Sequence, residues 1–147
     1  MQTKYLHKAQ LAQELVIPFM LAGQAYLTFK SLKTDKQFTY KIERQEKTPH
    51  KHYCYVLTGP NNMNDYTFFG TIYEGLMPSF YLSDRSELNQ ASPSVVAFTY
   101  VFNKLLQRSN ILDLEIWHMG ICAKCGRPLT DAESIRVGLG PICRTKK

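Results

Sequence analysis

Long apolar runs are missing from this sequence of 147 residues. The longest one, from Leu15 to Ala22, is far shorter than the roughly 20 apolar residues that a membrane-spanning helix needs, and it contains Pro18. Glu14 and Pro18 also interrupt the pattern of a secretory signal peptide. We therefore expect a cytoplasmic protein that has no membrane partner.

Recognised catalytic motifs are missing as well. The sequence has neither a glycine-rich phosphate loop nor a nucleophile elbow, and no histidine has an acid and a nucleophile nearby in a familiar arrangement. Its carboxylates are scattered through polar loops and the polar faces of strands. These absences predict a protein that is not an enzyme and has no small-molecule substrate.

Acidic residues are outnumbered by basic ones, 12 to 18, which gives a formal net charge of +6. A basic surface favours acidic partners such as nucleic acid or an acidic protein surface, without deciding between them. Solubility alone also accounts for a moderate net charge. The hydrophobic content of 44% is sufficient for a packed core.

The sequence has only four cysteines, and three of them, Cys122, Cys125 and Cys143, lie within one C-terminal segment. With His118 they give the spacing H-x3-C-x2-C-x17-C, which supplies the four ligands of a closed, structural, tetrahedral Zn²⁺ site. The alternatives are free buried thiols, or one disulfide and one unpaired thiol. If His118 is only packed beside the neighbouring tryptophan, three protein ligands remain and the fourth metal position is open.

Local signals support a folded metal-binding segment. Gly126 can adopt the positive φ of a tight turn directly after the second cysteine. The Thr130 to Glu133 stretch has the pattern of a capping box and predicts a short helix over residues 131–137. Gly138 is the expected C-cap, and Gly140-Pro141 ends the helix before Cys143.

These residues resemble a small zinc-binding domain of unknown function found in phage, prophage and mobile-element proteins. The resemblance lies in Cys122-x2-Cys125-Gly-Arg-x-Leu-Thr-Asp, Ser134-Ile135 and Gly138-x-Gly140-Pro141-x-Cys143. The preceding strand-like region, with its Thr-Phe-Lys-Ser stretch, is similar to the same proteins. The resemblance implies a phage-encoded zinc protein that acts in the cytoplasm of a bacterial host.

The rest of the sequence predicts an α+β fold with an antiparallel sheet of about four to five strands and one main helix. Two predicted hairpins join residues 25–31 to 37–43 and residues 50–58 to 66–73, and a fifth strand covers residues 114–118. Ser92-Pro93 begins the helix, and an apolar stripe of period near 3.6 follows from Val95 to Leu105. We divide the chain into a core domain, 1–113, with an N-terminal helix or arm, and a C-terminal zinc-finger-like module, 114–147.

Two functions are consistent with these features. The first is non-enzymatic nucleic-acid binding, with aromatic and basic strand residues contacting single strands or the backbone and a basic rim around the zinc module. The residues expected to take part are Tyr26, Lys30, Tyr53, Tyr55, Lys124, Arg127, Arg136 and Arg144. The alternative is a phage inhibitor or adaptor that binds a host protein complex, such as a defence nuclease, in the manner of an anti-CRISPR protein.

Overall fold

Seven antiparallel strands form one sheet in the computed structural model, which describes residues 9–145. The strands are β1 (Ala9–Gln10), β2 (Gln24–Ser31), β3 (Gln37–Arg44), β4 (Lys51–Leu57), β5 (Tyr66–Tyr73), β6 (Ser79–Leu82) and β7 (Leu114–His118). Their order across the sheet is β1-β7-β2-β3-β4-β5-β6. Both predicted hairpins are therefore present, as the pairs β2–β3 and β4–β5.

Three α-helices accompany the sheet in the described part of the chain: α1 (Val16–Met20), α2 (Pro93–Leu106) and α3 (Ala132–Val137). A 3-10 turn, Gln13–Leu15, precedes α1. The α+β class is confirmed, but the expected four to five strands were too few. The sequence pattern missed β1 and β6 because strands of two and four residues are too short to show clear alternation.

The N-terminal region differs in one detail from its expected form. Proline disfavours helix at the residue before it, yet α1 includes Ile17, continues through Pro18 and ends at Met20. Proline is tolerated there because it lies in the first turn, where the backbone amides have no partner within the helix. Residues 2–8 of the predicted helix or arm lie outside the described residues.

Helix α2 covers one face of the sheet with an apolar stripe of period near 3.6. Its buried residues are Val95, Phe98, Val101, Phe102 and Leu105. Phe98 lies at the centre of an aromatic cluster, with ring centroids 5.1 Å from Tyr40, 5.2 Å from Phe69 and 4.9 Å from Phe80. The Tyr40 hydroxyl donates a hydrogen bond of 2.7 Å to the Ser94 carbonyl, which fixes the helix to the sheet.

Strand β7 connects the sheet to the cysteine-bearing segment. It pairs with β2 on one side and with β1 on the other, so it is an inner strand. His118, the last residue of β7, lies opposite Leu27 and is buried. The cysteine-bearing segment therefore starts directly from an inner strand, the second in the sheet order.

Gly70 provides a test of how closely β5 and β6 pack. A Cβ atom at this position would lie 2.5 Å from Phe80 Cε1 and 2.6 Å from the Tyr81 carbonyl oxygen. We expect Gly70→Ala to lower the free energy of unfolding by roughly 1–3 kcal/mol, as overpacking does in other cores. Urea unfolding measures the loss. Gly75→Ala is the control, because the nearest atom there is 3.8 Å away, and an equal loss in both variants would contradict the steric explanation.

His52 makes the stability of the sheet sensitive to acid. Its Nε2 atom lies 2.7 Å from Glu74 Oε1, and its Nδ1 atom is buried and has no hydrogen-bond partner within residues 9–145. Burial lowers the pKa of His52, with a smaller contribution from Arg44, and the hydrogen bond and charge of Glu74 only partly oppose this.

Because the folded pKa of His52 is below its unfolded value of 6.5, the unfolded chain takes up the proton first. Stability is therefore fully present above pH 6.5 and falls as the pH drops toward the folded pKa. We expect the urea midpoint to decrease between pH 7.5 and 5.5, and to decrease less in His52→Gln, whose amide still donates to Glu74. An unchanged pH dependence in His52→Gln would contradict this assignment.

Candidate metal centre and open face of the sheet

Three of the four predicted metal ligands come together in the folded chain. The sulfur atoms of Cys122, Cys125 and Cys143 all lie within 4.8 Å of one another. Cys122 is buried, Cys125 is exposed and Cys143 is partly exposed. None of the three forms a disulfide, so the cluster can hold a metal ion.

The first two cysteines lie on a tight turn, which we call the cysteine knuckle (residues 121–128). The backbone amides of Lys124 and Cys125 both point at Cys122 Sγ, at 3.4 Å. The Gly126 amide closes the turn by donating to the Cys122 carbonyl at 2.9 Å. Gly126 has a φ of +79°, as expected from its place after the second cysteine, and this backbone conformation is strained for other residues.

Helix α3 returns the chain to the third cysteine. Its N-cap is Asp131, whose carboxylate accepts a hydrogen bond of 3.1 Å from the Ser134 amide. The predicted capping box between Thr130 and Glu133 was therefore displaced by one residue, because aspartate is itself a strong N-cap. Gly138 is the C-cap, with a φ of +77°, as predicted.

The thiols of the cluster have different acidities. Burial raises the pKa of Cys122, but hydrogen bonds from the backbone amides of Gly140, Cys125 and Lys124 outweigh it and lower this pKa to about 7. Desolvation and hydrogen bonds with the other two cysteines raise the pKa of Cys143 to about 11. Cys122 therefore ionises before Cys143, and a bound cation would favour the thiolate form of its ligands.

His118 lies outside the cysteine cluster. The Gly120 amide donates to His118 Nδ1 at 3.0 Å, so the ring proton is on Nε2, which donates to the Ile135 carbonyl at 2.6 Å. Both ring nitrogens are therefore engaged with the main chain. In this arrangement His118 ties the end of β7 to α3.

The cysteine knuckle packs against the beginning of β2. The Gln24 amide donates to the Ala123 carbonyl at 2.5 Å, and the Ala123 amide donates to the Gly138 carbonyl at 3.0 Å. A Cβ atom on Gly23 would lie 3.4 Å from the Cα atom of Lys124. These contacts hold the knuckle against the beginning of β2, with Ala123 buried in the hydrophobic core.

That second face of the sheet, which we call the open face, has no helix of residues 9–145 packed over its β3–β6 part. Cross-strand pairing aligns Lys41, Tyr55 and Phe68 in one row, and Glu43, Tyr53, Thr71 and Tyr81 in the next. The Lys41 ammonium lies 4.5 Å from the centre of the Tyr55 ring. Tyr81 is 62% exposed, with its ring edge-on to Tyr73 at 5.6 Å, so much of this ring is available to a ligand.

The residues predicted to bind nucleic acid have different surroundings. Tyr53 and Tyr55 lie on the open face and are half-buried, whereas Tyr26 is only 6% exposed. The ring of Tyr26 packs edge-on against Tyr66, 5.8 Å away. Lys30 is half-buried, 4.0 Å from the Asp35 carboxylate.

The four predicted basic residues of the metal-binding segment also divide into two groups. Lys124 and Arg127 are exposed and form no ion pair with residues 9–145. Arg136 makes a bidentate pair with Glu133, at 2.9 and 2.7 Å. Arg144 donates to the Ser134 hydroxyl and lies 3.7 Å from Asp131, so it holds the residue after Cys143 against α3.

Several open-face residues were missed at the sequence level. They are Lys41, Lys51, Tyr66, Phe68, Tyr73 and Tyr81. The alternation of side chains along β4 shows that Tyr53 and Tyr55 share a face, but it does not show which residues of other strands lie on the same face. A bulge opposite Cys54 and Tyr55 turns Phe68 outward while Phe69 stays in the core, and only the paired strands reveal that change.

One segment of the chain matches a known protein family. Residues 118–146 match a family of unknown function (DUF6011), so this segment is similar to that family. No curated protein and no solved structure is a significant match to the chain.

Within residues 9–145, none of the helices has the length and apolar character required to cross a bilayer.

Proposed function

We propose that the cysteine cluster binds one structural Zn²⁺ ion. Three closely spaced thiolates are soft ligands, which zinc accepts readily in structural sites. The amide hydrogen bonds to Cys122 Sγ support this assignment, because they stabilise a negatively charged sulfur. Thiols kept for a metal also suit the reducing cytoplasm of a bacterial host.

The same proposal gives His118 a structural role in place of the predicted role as a ligand. Moving the ring to the metal would break its bonds to Gly120 and Ile135. We expect His118→Ala to retain one zinc ion per chain but to lower thermal stability. The measurement is zinc content by mass spectrometry beside a melting curve, and loss of zinc from a folded variant would restore His118 as a ligand.

The main function in this proposal is binding of single-stranded nucleic acid by the open face. The observation that supports it is the placement of tyrosine rings and lysines together on a face that α2 leaves uncovered. Bases stack on exposed aromatic rings whatever their sequence, and lysines neutralise the phosphates between them. Double-stranded DNA keeps its bases stacked inside and offers the rings no such contact.

The test is fluorescence anisotropy of zinc-loaded protein with labelled single-stranded and double-stranded DNA and RNA over a salt series. We expect tighter binding to single strands, and an affinity that falls steeply as salt increases because bound phosphates release counterions. Equal binding to single and double strands would contradict the stacking mechanism. Absence of binding at low salt would eliminate the function.

A second candidate is an inhibitor or adaptor of a host protein, such as a phage-encoded factor acting on a defence nuclease. One feature favours it: Leu76 and Met77 are 111% and 64% exposed. They border a groove of about 660 Å³ whose apolar lining includes Ile17 and Leu105. Exposed apolar patches of this kind are typical of protein interfaces.

Variants distinguish this second candidate from nucleic-acid binding. Replacing Leu76 and Met77 by serine should abolish association with a host protein and leave oligonucleotide affinity unchanged. Leu112→Ser is the matched control, because Leu112 is 77% exposed and does not line the groove. Retained association in the Leu76 and Met77 variant would exclude the groove as the interface.

A further inference from the structure

A cleft opens where the open face of the sheet meets the cysteine knuckle. Its volume is about 680 Å³, and its lining residues include Gln24, Glu43, Lys47, Tyr53 and Lys124. It is thus large enough to receive a nucleotide. Because Tyr53 belongs both to the cleft and to the open face, a strand lying on that face can extend directly into the cleft.

One cross-strand row forms a wall of the cleft. Gln24 lies opposite Glu43 in the β2–β3 pair, and Glu43 lies opposite Tyr53 in the β3–β4 pair. Directly opposed residues in antiparallel strands have Cβ atoms only about 4.5–5.5 Å apart. The row therefore presents an amide, a carboxylate and an aromatic ring within reach of one nucleobase.

The carboxylate in this row is unexpected on a surface that is proposed to bind phosphate groups. Glu43 is half-buried among tyrosines, and its negative charge would repel a phosphate group. Its Oε2 atom accepts a hydrogen bond of 3.3 Å from Gln24 Nε2, and Oε1 has no partner among residues 9–145. A carboxylate with acceptor capacity is suited to the N–H groups on the edge of a base.

The hydrogen-bonding groups of the bases select one of them. Guanine presents N1–H and an exocyclic amine side by side, so both oxygens of one carboxylate can accept from the same base. Adenine and cytosine present one amine next to an acceptor nitrogen, which repels the second oxygen. Thymine and uracil present a single N–H between two carbonyl oxygens. A carboxylate therefore favours the Watson–Crick edge of an unpaired guanine.

The remaining lining residues fit the rest of a guanine nucleotide. Tyr53 offers a ring beside Glu43, on which a base can stack. Lys47 and Lys124 are exposed ammonium groups at the cleft, available to guanine O6 or to the adjoining phosphates. The cysteine knuckle places Lys124 there through the contact of Ala123 with Gln24.

We propose that this cleft recognises an unpaired guanine within a single strand, with Glu43 as the specificity-determining residue and Tyr53 as the stacking platform. This inference rests on the proposed function and deepens it. The open face supplies binding that does not depend on sequence. The cleft then sets which base is preferred at one position of the bound strand.

The test measures anisotropy with oligothymidylate and with the same oligonucleotide containing one central guanine, adenine, cytosine or inosine. Guanine should bind tighter than the other bases by roughly 5- to 150-fold, the range for a bidentate base contact. Inosine lacks the exocyclic amine and should lose most of this preference. Glu43→Gln should abolish the guanine preference, while its affinity for plain oligothymidylate stays equal or rises.

Glu46→Gln is the matched control, because it removes a charge from the same cleft without touching the row, and it should keep the guanine preference. Tight oligothymidylate binding with no preference for guanine would overturn the inference and leave the proposed function standing. A guanine preference that persists in Glu43→Gln would also overturn it. Absence of binding to every oligonucleotide would overturn both proposals.

Discussion

Cys143→Ser should unfold the C-terminal segment from the cysteine knuckle to α3 and abolish binding of the proposed Zn²⁺ ion. Structural zinc binding is worth on the order of 10 kcal/mol in apparent folding free energy, which is as large as the whole stability of a typical domain. Helix α3 contributes little stability of its own, because it has only six residues, of which Ser134 alone is buried. Cys122→Ser should have the same effect.

Hydrogen exchange followed by mass spectrometry measures this unfolding segment by segment. Peptides covering residues 120–140 should lose protection in Cys143→Ser and in wild-type protein treated with a zinc chelator. Cys54→Ala is the matched control, because Cys54 is a buried thiol of β4 outside the cluster, and this variant should keep its metal and its C-terminal protection. Protection equal to wild type in Cys143→Ser would refute a structural metal.

Tyr55→Ala should weaken binding to oligothymidylate by roughly 5- to 150-fold, since one base stacked on an aromatic ring contributes about 1–3 kcal/mol. Tyr55 is central in the open face, with Lys41 4.5 Å from its ring centre and the Phe68 ring 5.8 Å away. Tyr55→Phe keeps the ring and should bind nearly as tightly as wild type. Anisotropy titrations at one fixed salt concentration measure all three affinities.

Tyr100→Ala is the control for this effect. Tyr100 is 54% exposed on α2, which packs on the other face of the sheet, so its loss should leave the affinity unchanged. Melting curves of each variant separate loss of folding from loss of binding. If Tyr55→Ala is folded and binds as tightly as wild type, or if Tyr100→Ala weakens binding equally, the open face is not the binding surface.

The sequence was informative where a local pattern determines the structure. The stripe from Val95 to Leu105 predicted α2, and Ser92-Pro93 predicted where it begins. The C-x2-C-G spacing predicted a turn that brings two thiols together, and the third cysteine joined them behind a short helix. Gly138 was the expected C-cap because the residue that ends a helix often has a left-handed backbone, which glycine adopts without strain.

Other features depend on pairing between distant segments and have no local signal. Residues 79–82 form β6 because their backbone groups hydrogen-bond to β5. Strand β7 is an inner strand because β1 and β2 pair with its two sides. The bulge in β5 decides which of two adjacent phenylalanines faces outward. The position of His118 outside the cysteine cluster also has no local signal. It depends on hydrogen bonds to Gly120 and Ile135, which the spacing between His118 and Cys122 does not indicate.

Ultraviolet cross-linking of zinc-loaded protein to oligothymidylate, followed by peptide mapping, tests most directly whether the open face binds single strands. We expect cross-links at the tyrosines of β4 to β6, with Tyr53, Tyr55 and Tyr81 among them, and none at Tyr100. The links should disappear as salt increases, together with the affinity. Cross-links confined to α2, or spread without preference over both faces of the sheet, would contradict this account.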